Sequence, residues 1–268
     1  MANMSFVPQK IESEKVSVPW TGWDVLFVFV LWFAAQLASG VLASIISPPQ
    51  PPELTVTTEM ETETEAERKD QGHVIFQLVQ QGKDSPIVLL VVFFAIGVAA
   101  PMIEELLFRQ FFQGWLEKKL RPSLAIVAVS FCFAMLHAGR RETLDGQILF
   151  YVLGLITITS LLVFMLGIAY LVWVRNVKLT HCLFGVGRFF HPHFFAYTGC
   201  CLFTLIPILG IAAFLDGIAP NINTDPVPIF LFSLVLGTLY SRTRNLSYCI
   251  LLHAFLNATS LAIVWFTV

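Results

Sequence analysis

Seven apolar runs divide this chain, most of them near or above the ~20 residues a helix needs to cross a bilayer. They fall at about 22–46, 86–117, 122–139, 146–174, 194–215, 227–241 and 246–267. Inside lipid each backbone amide must be satisfied within the protein, so runs of this length are read as helices. The predicted fold is therefore all-α, a multi-pass transmembrane bundle of about seven spans. Only 13% of the 268 residues are charged, about half the ~25% of a soluble domain. The 25 phenylalanines suit lipid-facing surfaces. The sixth run is short, which predicts a tilted or partly interfacial helix.

The same pattern sets the domains. Residues 1–21 form an N-terminal tail and 22–46 a membrane anchor helix. That apolar run is too long for a signal peptide, and its leader is balanced, Lys10 and Lys15 against Glu12 and Glu14. An uncleaved anchor is expected. Residues 47–85 hold Pro48-Pro49-Gln50-Pro51-Pro52 and then a Thr/Glu-rich stretch. Such a segment cannot bury a core and reads as a disordered acidic loop outside the cytoplasm. The rest, 86–268, carries the polar residues of interest. Alternating spans put Lys118, Lys119, Arg121, Arg175, Lys178, Arg188, Arg242 and Arg244 on one side. The positive-inside rule makes that side cytoplasmic, together with the N-terminus.

Several features carry no functional weight. The five cysteines (Cys132, Cys182, Cys200, Cys201, Cys249) lie in or beside apolar runs without metal-ligand spacing and read as small buried hydrophobes. His181, His191 and His193 read as a polar loop. Gly167-Ile168-Ala169-Tyr170 with Arg175-Asn176 echoes Gly237-Thr238-Leu239-Tyr240 with Arg244-Asn245. The offsets differ by one residue, and coincidence between two apolar helix ends is the simpler reading.

Glu104 and Glu105 are different. They lie inside the second run, and a carboxylate in a bilayer costs roughly 2.5–3.5 kcal/mol on insertion scales. Arg109 follows one turn later, placed to neutralise Glu105. The second and third runs form a hairpin turning near Leu120-Arg121, with Glu104 sixteen residues before Leu120 and His137 sixteen after Arg121. At 1.5 Å per residue both lie roughly 24 Å from the turn, at one depth. Phe133 is one turn from His137 on the same face. In the last run, His253 and Asn257 are four apart and share a helical face. Singly, such residues bond a neighbouring helix. Together, two carboxylates, two histidines and an asparagine on three helices are costly as mere packing, and they predict an intramembrane polar cavity.

Glu104-Glu105…Arg109, Phe133…His137 and His253…Asn257, with the lead-in 236–246, resemble the CAAX protease and bacteriocin-processing family, which includes CAAX prenyl protease 2 and the lysostaphin-resistance-A-like proteins. The resemblance covers about 86–140 and 227–260 and makes 86–268 a protease domain with an extra helical insertion at about 142–220. Gln110 stands where the family often has glycine. The resemblance implies an intramembrane endopeptidase, with membrane-associated protein or peptide as substrate, the lipid bilayer as surroundings, no nucleic acid partner, and a bacterial cell membrane as location. In this reading Glu104, assisted by His137, activates water, and Glu105 with Arg109 supports it electrostatically. His253 and Asn257 polarise the scissile carbonyl. In a metal-dependent version Glu104, His137 and His253 hold a divalent ion such as zinc. The sequence does not choose between these versions. A non-catalytic scaffold or transporter using the same cavity is the alternative, and a pseudo-enzyme that binds without cutting is a third.

Overall fold

The computed structural model describes residues 18–46, 85–137, 146–184 and 226–267, with a few single positions between 199 and 211. The N-terminal tail to residue 17, the acidic loop, the 194–215 run and His191 and His193 lie outside these segments. Among the described residues every regular element is helical. Helix α1 spans Gly22–Ile46. Helix α2 runs from Pro86 to Leu116 and contains two π-helical stretches, Ala95–Ala99 and Leu106–Gln113. Helix α3 is Pro122–Leu136; α4 is Gly146–Ala169, continued by a π-helical stretch at Tyr170–Val174. Helices α5 (Leu179–Phe184), α6 (Pro226–Thr243) and α7 (Leu246–Thr267) complete the described chain.

Four stretches are long and apolar enough to cross a membrane: Gly22–Leu42, Pro86–Leu116, Val152–Val174 and Leu246–Ile263. Helix α3, with 15 residues, is shorter than a span; at 1.5 Å per residue it reaches only about 22 Å. It ends at Leu136, earlier than the expected 139, and His137 is its C-terminal cap. Proline opens α2, α3 and α6, where its missing N–H leaves no further donor unsatisfied.

Helix α1 lies along α4, where Ser39 meets Thr159 at 3.1 Å and Gln36 donates to Ser160 at 3.2 Å. It is also tied to α2. The Trp20 indole donates to the Phe111 carbonyl at 3.0 Å, and Lys118 Nζ donates to the Trp20 carbonyl at 2.7 Å. Burial there holds Lys118 below the usual lysine range. Gly114 admits the Trp20 ring, because a Cβ at that position would stand 2.9 Å from it. Phe29 of α1 meets Phe108 of α2 edge-on at 5.3 Å, and Phe108 meets Phe133 of α3 edge-on at 5.0 Å.

The sequence echo is built into the fold. Arg175 lies over Tyr170 at 5.8 Å and Arg244 over Tyr240 at 5.5 Å. Each arginine pairs with a buried carboxylate, Arg175 with Asp24 and Arg244 with Glu117. The one-residue difference in offset is a π turn. Arg175 N–H bonds the carbonyl of Tyr170, five back, whereas Arg244 N–H bonds that of Tyr240, four back. Asn176 (φ 54°), which follows Arg175, and Arg244 itself (φ 53°) adopt the left-handed conformation as the chain leaves the helices.

Of the cysteines, Cys182 and Cys249 are buried as expected, and burial pushes the Cys182 thiol up to about 11. Cys132 departs from that reading: it is exposed on the outer side of α3. Cys200 and Cys201 lie outside the described residues.

Candidate active site

The polar residues singled out in the sequence converge from α2, the end of α3 and α7. Glu105 and Arg109 are fully buried, with Arg109 Nε 3.0 Å from Glu105 Oε2 across one turn. The other oxygen of Glu105 stands 2.9 Å from His253 Nδ1. An ionised carboxylate only accepts, so His253 carries its proton on Nδ1 when neutral and turns Nε2 elsewhere. That nitrogen faces Glu104 Oε2 at 3.7 Å. On the opposite side, His137 Nε2 faces Glu104 Oε1 at 3.9 Å. His137 Nδ1 lies 2.8 Å from the Phe133 carbonyl. A carbonyl also only accepts, so the neutral ring again presents an unprotonated Nε2.

Glu104 therefore has an imidazole at each oxygen, from two different helices. Both separations exceed a hydrogen bond and leave the carboxylate open to a further group. The Glu104 side chain is 16% exposed and that of His137 35%, against 7% for His253. Phe133 forms the floor: its ring lies 4.6 Å from that of His137, 6.0 Å from that of His253 and 5.5 Å from the Arg109 guanidinium. Phe232 of α6 meets His253 edge-on at 5.3 Å. The hairpin count thus places Glu104 and His137 at one depth, as observed.

Asn257 shares the His253 face, but its amide Nδ2 donates to the Ile96 carbonyl at 2.9 Å. The reason lies in α2. Within Ala95–Ala99 the ladder is π-type, and the Ala100 N–H bonds the Ala95 carbonyl, five residues back. The next donor in that ladder belongs to position 101, which is Pro101 and has no N–H. Ile96 is left without its helical partner, and Asn257 supplies one. Glu104 follows Pro101 by three residues, so this bond fixes the turn that carries it.

Three further side chains join the site that were not among the residues expected to form it. Ser233 of α6, fully buried, accepts from Arg109 Nη2 at 2.8 Å. Gln110 accepts from the Tyr240 hydroxyl at 2.9 Å, which gives the residue at the usual glycine position a partner. Gln113 donates to Glu117 at 2.9 Å and to the Gly237 carbonyl at 2.8 Å. His181 is exposed on α5, where its backbone N–H bonds the Lys178 carbonyl at 2.8 Å.

One carboxylate and two imidazoles whose Nδ1 atoms are already engaged have the donor chemistry of a catalytic zinc site. The imidazole nitrogens stand 3.9 and 3.7 Å from the Glu104 oxygens, wider than the roughly 3.3–3.4 Å between ligands of a tetrahedral zinc ion, so ligation would require the side chains to draw together. Among the described residues no group of three or more His, Cys, Asp or Glu side chains is placed to hold a metal ion.

The fold and this cluster define an integral membrane helical protein with an internal polar site. A family profile described as type II CAAX prenyl endopeptidase Rce1-like matches residues 86–186 and 172–259, a stretch containing all six site residues, and the chain belongs to that family. It is thus an intramembrane endopeptidase of the CAAX type, with membrane-associated proteins as substrates. No curated protein and no solved structure matches the chain.

Proposed function

We propose that the protein hydrolyses peptide bonds of membrane-associated substrates with a water activated by Glu104 and His137. The observation that carries this reading is the Glu104 carboxylate flanked by Nε2 of His137 and Nε2 of His253. Glu104 and His137 are the more exposed members, so water and the scissile bond approach on their side. Glu104 takes a proton from the water as its oxygen attacks the carbonyl carbon. His253, when protonated, directs an Nε2–H toward the developing oxyanion, and Glu105 stabilises that imidazolium from the other side. Asn257 holds Ile96 with one amide hydrogen and offers its second to the same oxyanion. Collapse of the tetrahedral intermediate breaks the C–N bond, and the proton held by Glu104 passes to the leaving amine.

The metal-dependent version is a second proposal, supported by the donor chemistry alone. Glu104, His137 and His253 would be the ligands, and a bound divalent ion would supply Lewis-acid activation of water. The family description suggests prenylated CAAX-type substrates for this chain. We also propose that the Lys118–Arg121 turn and the N-terminus face the cytoplasm. Cleavage of a membrane-tethered peptide reporter by the purified protein in ¹⁸O-labelled water tests the core reading. Incorporation of label into the new carboxylate supports it. An intact reporter, with transport or binding alone, favours the scaffold or transporter instead.

A further inference from the structure

We infer that Gly237 marks a buried water site that joins the arginine of the catalytic cluster to a polar seam between α2 and α6. Two groups point to it. Arg109 uses Nε on Glu105 and Nη2 on Ser233, which fixes the guanidinium and leaves Nη1 buried without a hydrogen-bond partner among the described residues. Gln113 uses Nε2 on both Glu117 and the Gly237 carbonyl, which fixes the amide and leaves Oε1 buried in the same condition. The orphans are complementary, one a donor and the other an acceptor.

Both lie beside the missing side chain of Gly237. A Cβ built there would stand 3.2 Å from Gln113 Oε1 and 3.6 Å from Arg109 Nη1. A water accepting from the arginine and donating to the amide satisfies both, and two polar partners are enough to hold a buried water. A Cβ at Gly237 would also stand 2.9 Å from Ile126 Cγ2, so the close approach of α3 itself asks for glycine, and the water sits between the two polar atoms rather than at the Cβ position. The ligand class is water, bound as a structural group.

The site closes a gap in a continuous seam. Glu105, Arg109 and Gln113 of α2 and Glu117 at its C-terminal cap recur every four residues, all buried. Against them α6 presents Ser233, the Gly237 carbonyl and, just beyond its end, Arg244. Without a bridge the seam breaks between Arg109 and Gln113. With it, the position of Glu105, and so of His253, is tied to the Glu117–Arg244 pair at the end of α2. Gly237 is a positioning residue acting through this water.

Gly237→Ala and Gly237→Ser separate this from simple crowding. Each brings the same Cβ against Ile126 Cγ2, 2.9 Å away. Serine is the larger, so crowding alone makes serine equal or worse. A serine hydroxyl can replace the water, accepting from Arg109 and donating to Gln113, whereas an alanine methyl satisfies neither. We expect a higher melting temperature for Gly237→Ser than for Gly237→Ala in detergent. In the reporter assay alanine should lower kcat roughly tenfold with little change in KM, and serine should recover most of that loss. If the alanine variant is as stable as the serine variant, or more so, the water site is wrong. Should either variant fail to fold, the pair is repeated in an Ile126→Ala background, which removes the methyl, and the same order decides. The activity arm rests on the proposed peptidase reading. The melting order does not, so failure of one is distinguishable from failure of the other.

Discussion

His253 bridges the paired glutamates, holding Glu105 at 2.9 Å through Nδ1 and facing Glu104 at 3.7 Å through Nε2. Neighbours in sequence are thereby given unequal work. Glu105 is closed in by Arg109 and His253, while Glu104 keeps its carboxylate open between two rings.

The first prediction concerns that division. Glu104→Gln and Glu104→Ala should lower reporter cleavage by about 10²–10⁴-fold, the range for a lost general base, with melting temperature close to wild type. A variant retaining full activity would remove Glu104 from the mechanism.

Glu105 and Arg109 should behave as a unit. Arg109→Met alone leaves a buried carboxylate without its cation, which costs about 3–5 kcal/mol for a buried pair. Glu105→Gln/Arg109→Met should be less damaging to stability than the sum of the single changes. Arg109→Lys should not rescue, because a lysine cannot reach Glu105 and Ser233 with a planar fork. Denaturation midpoints of the four proteins in a double-mutant cycle measure the coupling; additive effects would show the pair to be independent.

Asn257 should depend on Pro101. Asn257→Ala leaves the half-buried Ile96 carbonyl without this partner, at up to about 1–3 kcal/mol. Pro101→Ala restores a backbone N–H to the ladder, so the same asparagine change should cost less stability in that background. Equal losses in both backgrounds would show that the bond to Ile96 is incidental.

The metal proposal is checked by elemental content. If the donor set binds an ion, wild-type protein carries about one equivalent of a divalent metal, and His137→Ala and His253→Ala carry markedly less. The same metal content in all three would exclude ligation by those histidines.

Much of the site was legible because it depends on local geometry. A fixed rise per residue put Glu104 and His137 at one depth, and four-residue spacing put Arg109 on Glu105 and Asn257 on the His253 face. The apolar runs likewise marked α1, α2, α4 and α7 closely. Ser233 and Gly237 were not legible, because the register of α6 against α2 is set by packing across more than a hundred residues of chain. The π-helical stretches were hidden for a different reason. An apolar period of 3.6 is an assumption when a run is apolar nearly all round, and a wider turn leaves no trace in such a run. Thus the partner of Asn257 could not be read, although Pro101 was its signal.

The two tyrosine–arginine–carboxylate arrangements have a mechanical consequence. Glu117–Arg244, with the Lys118 bond to Trp20, grips the end of α2, and Asp24–Arg175 joins the start of α1 to the end of α4 on the same rim. Helices riveted at one rim splay most at the other, where α3 ends in His137. Admission of a substrate would then be a lever motion with its fulcrum at the arginines. Spin-label pairs across the two rims should show a narrow distance distribution at the riveted end and a broad one at the free end.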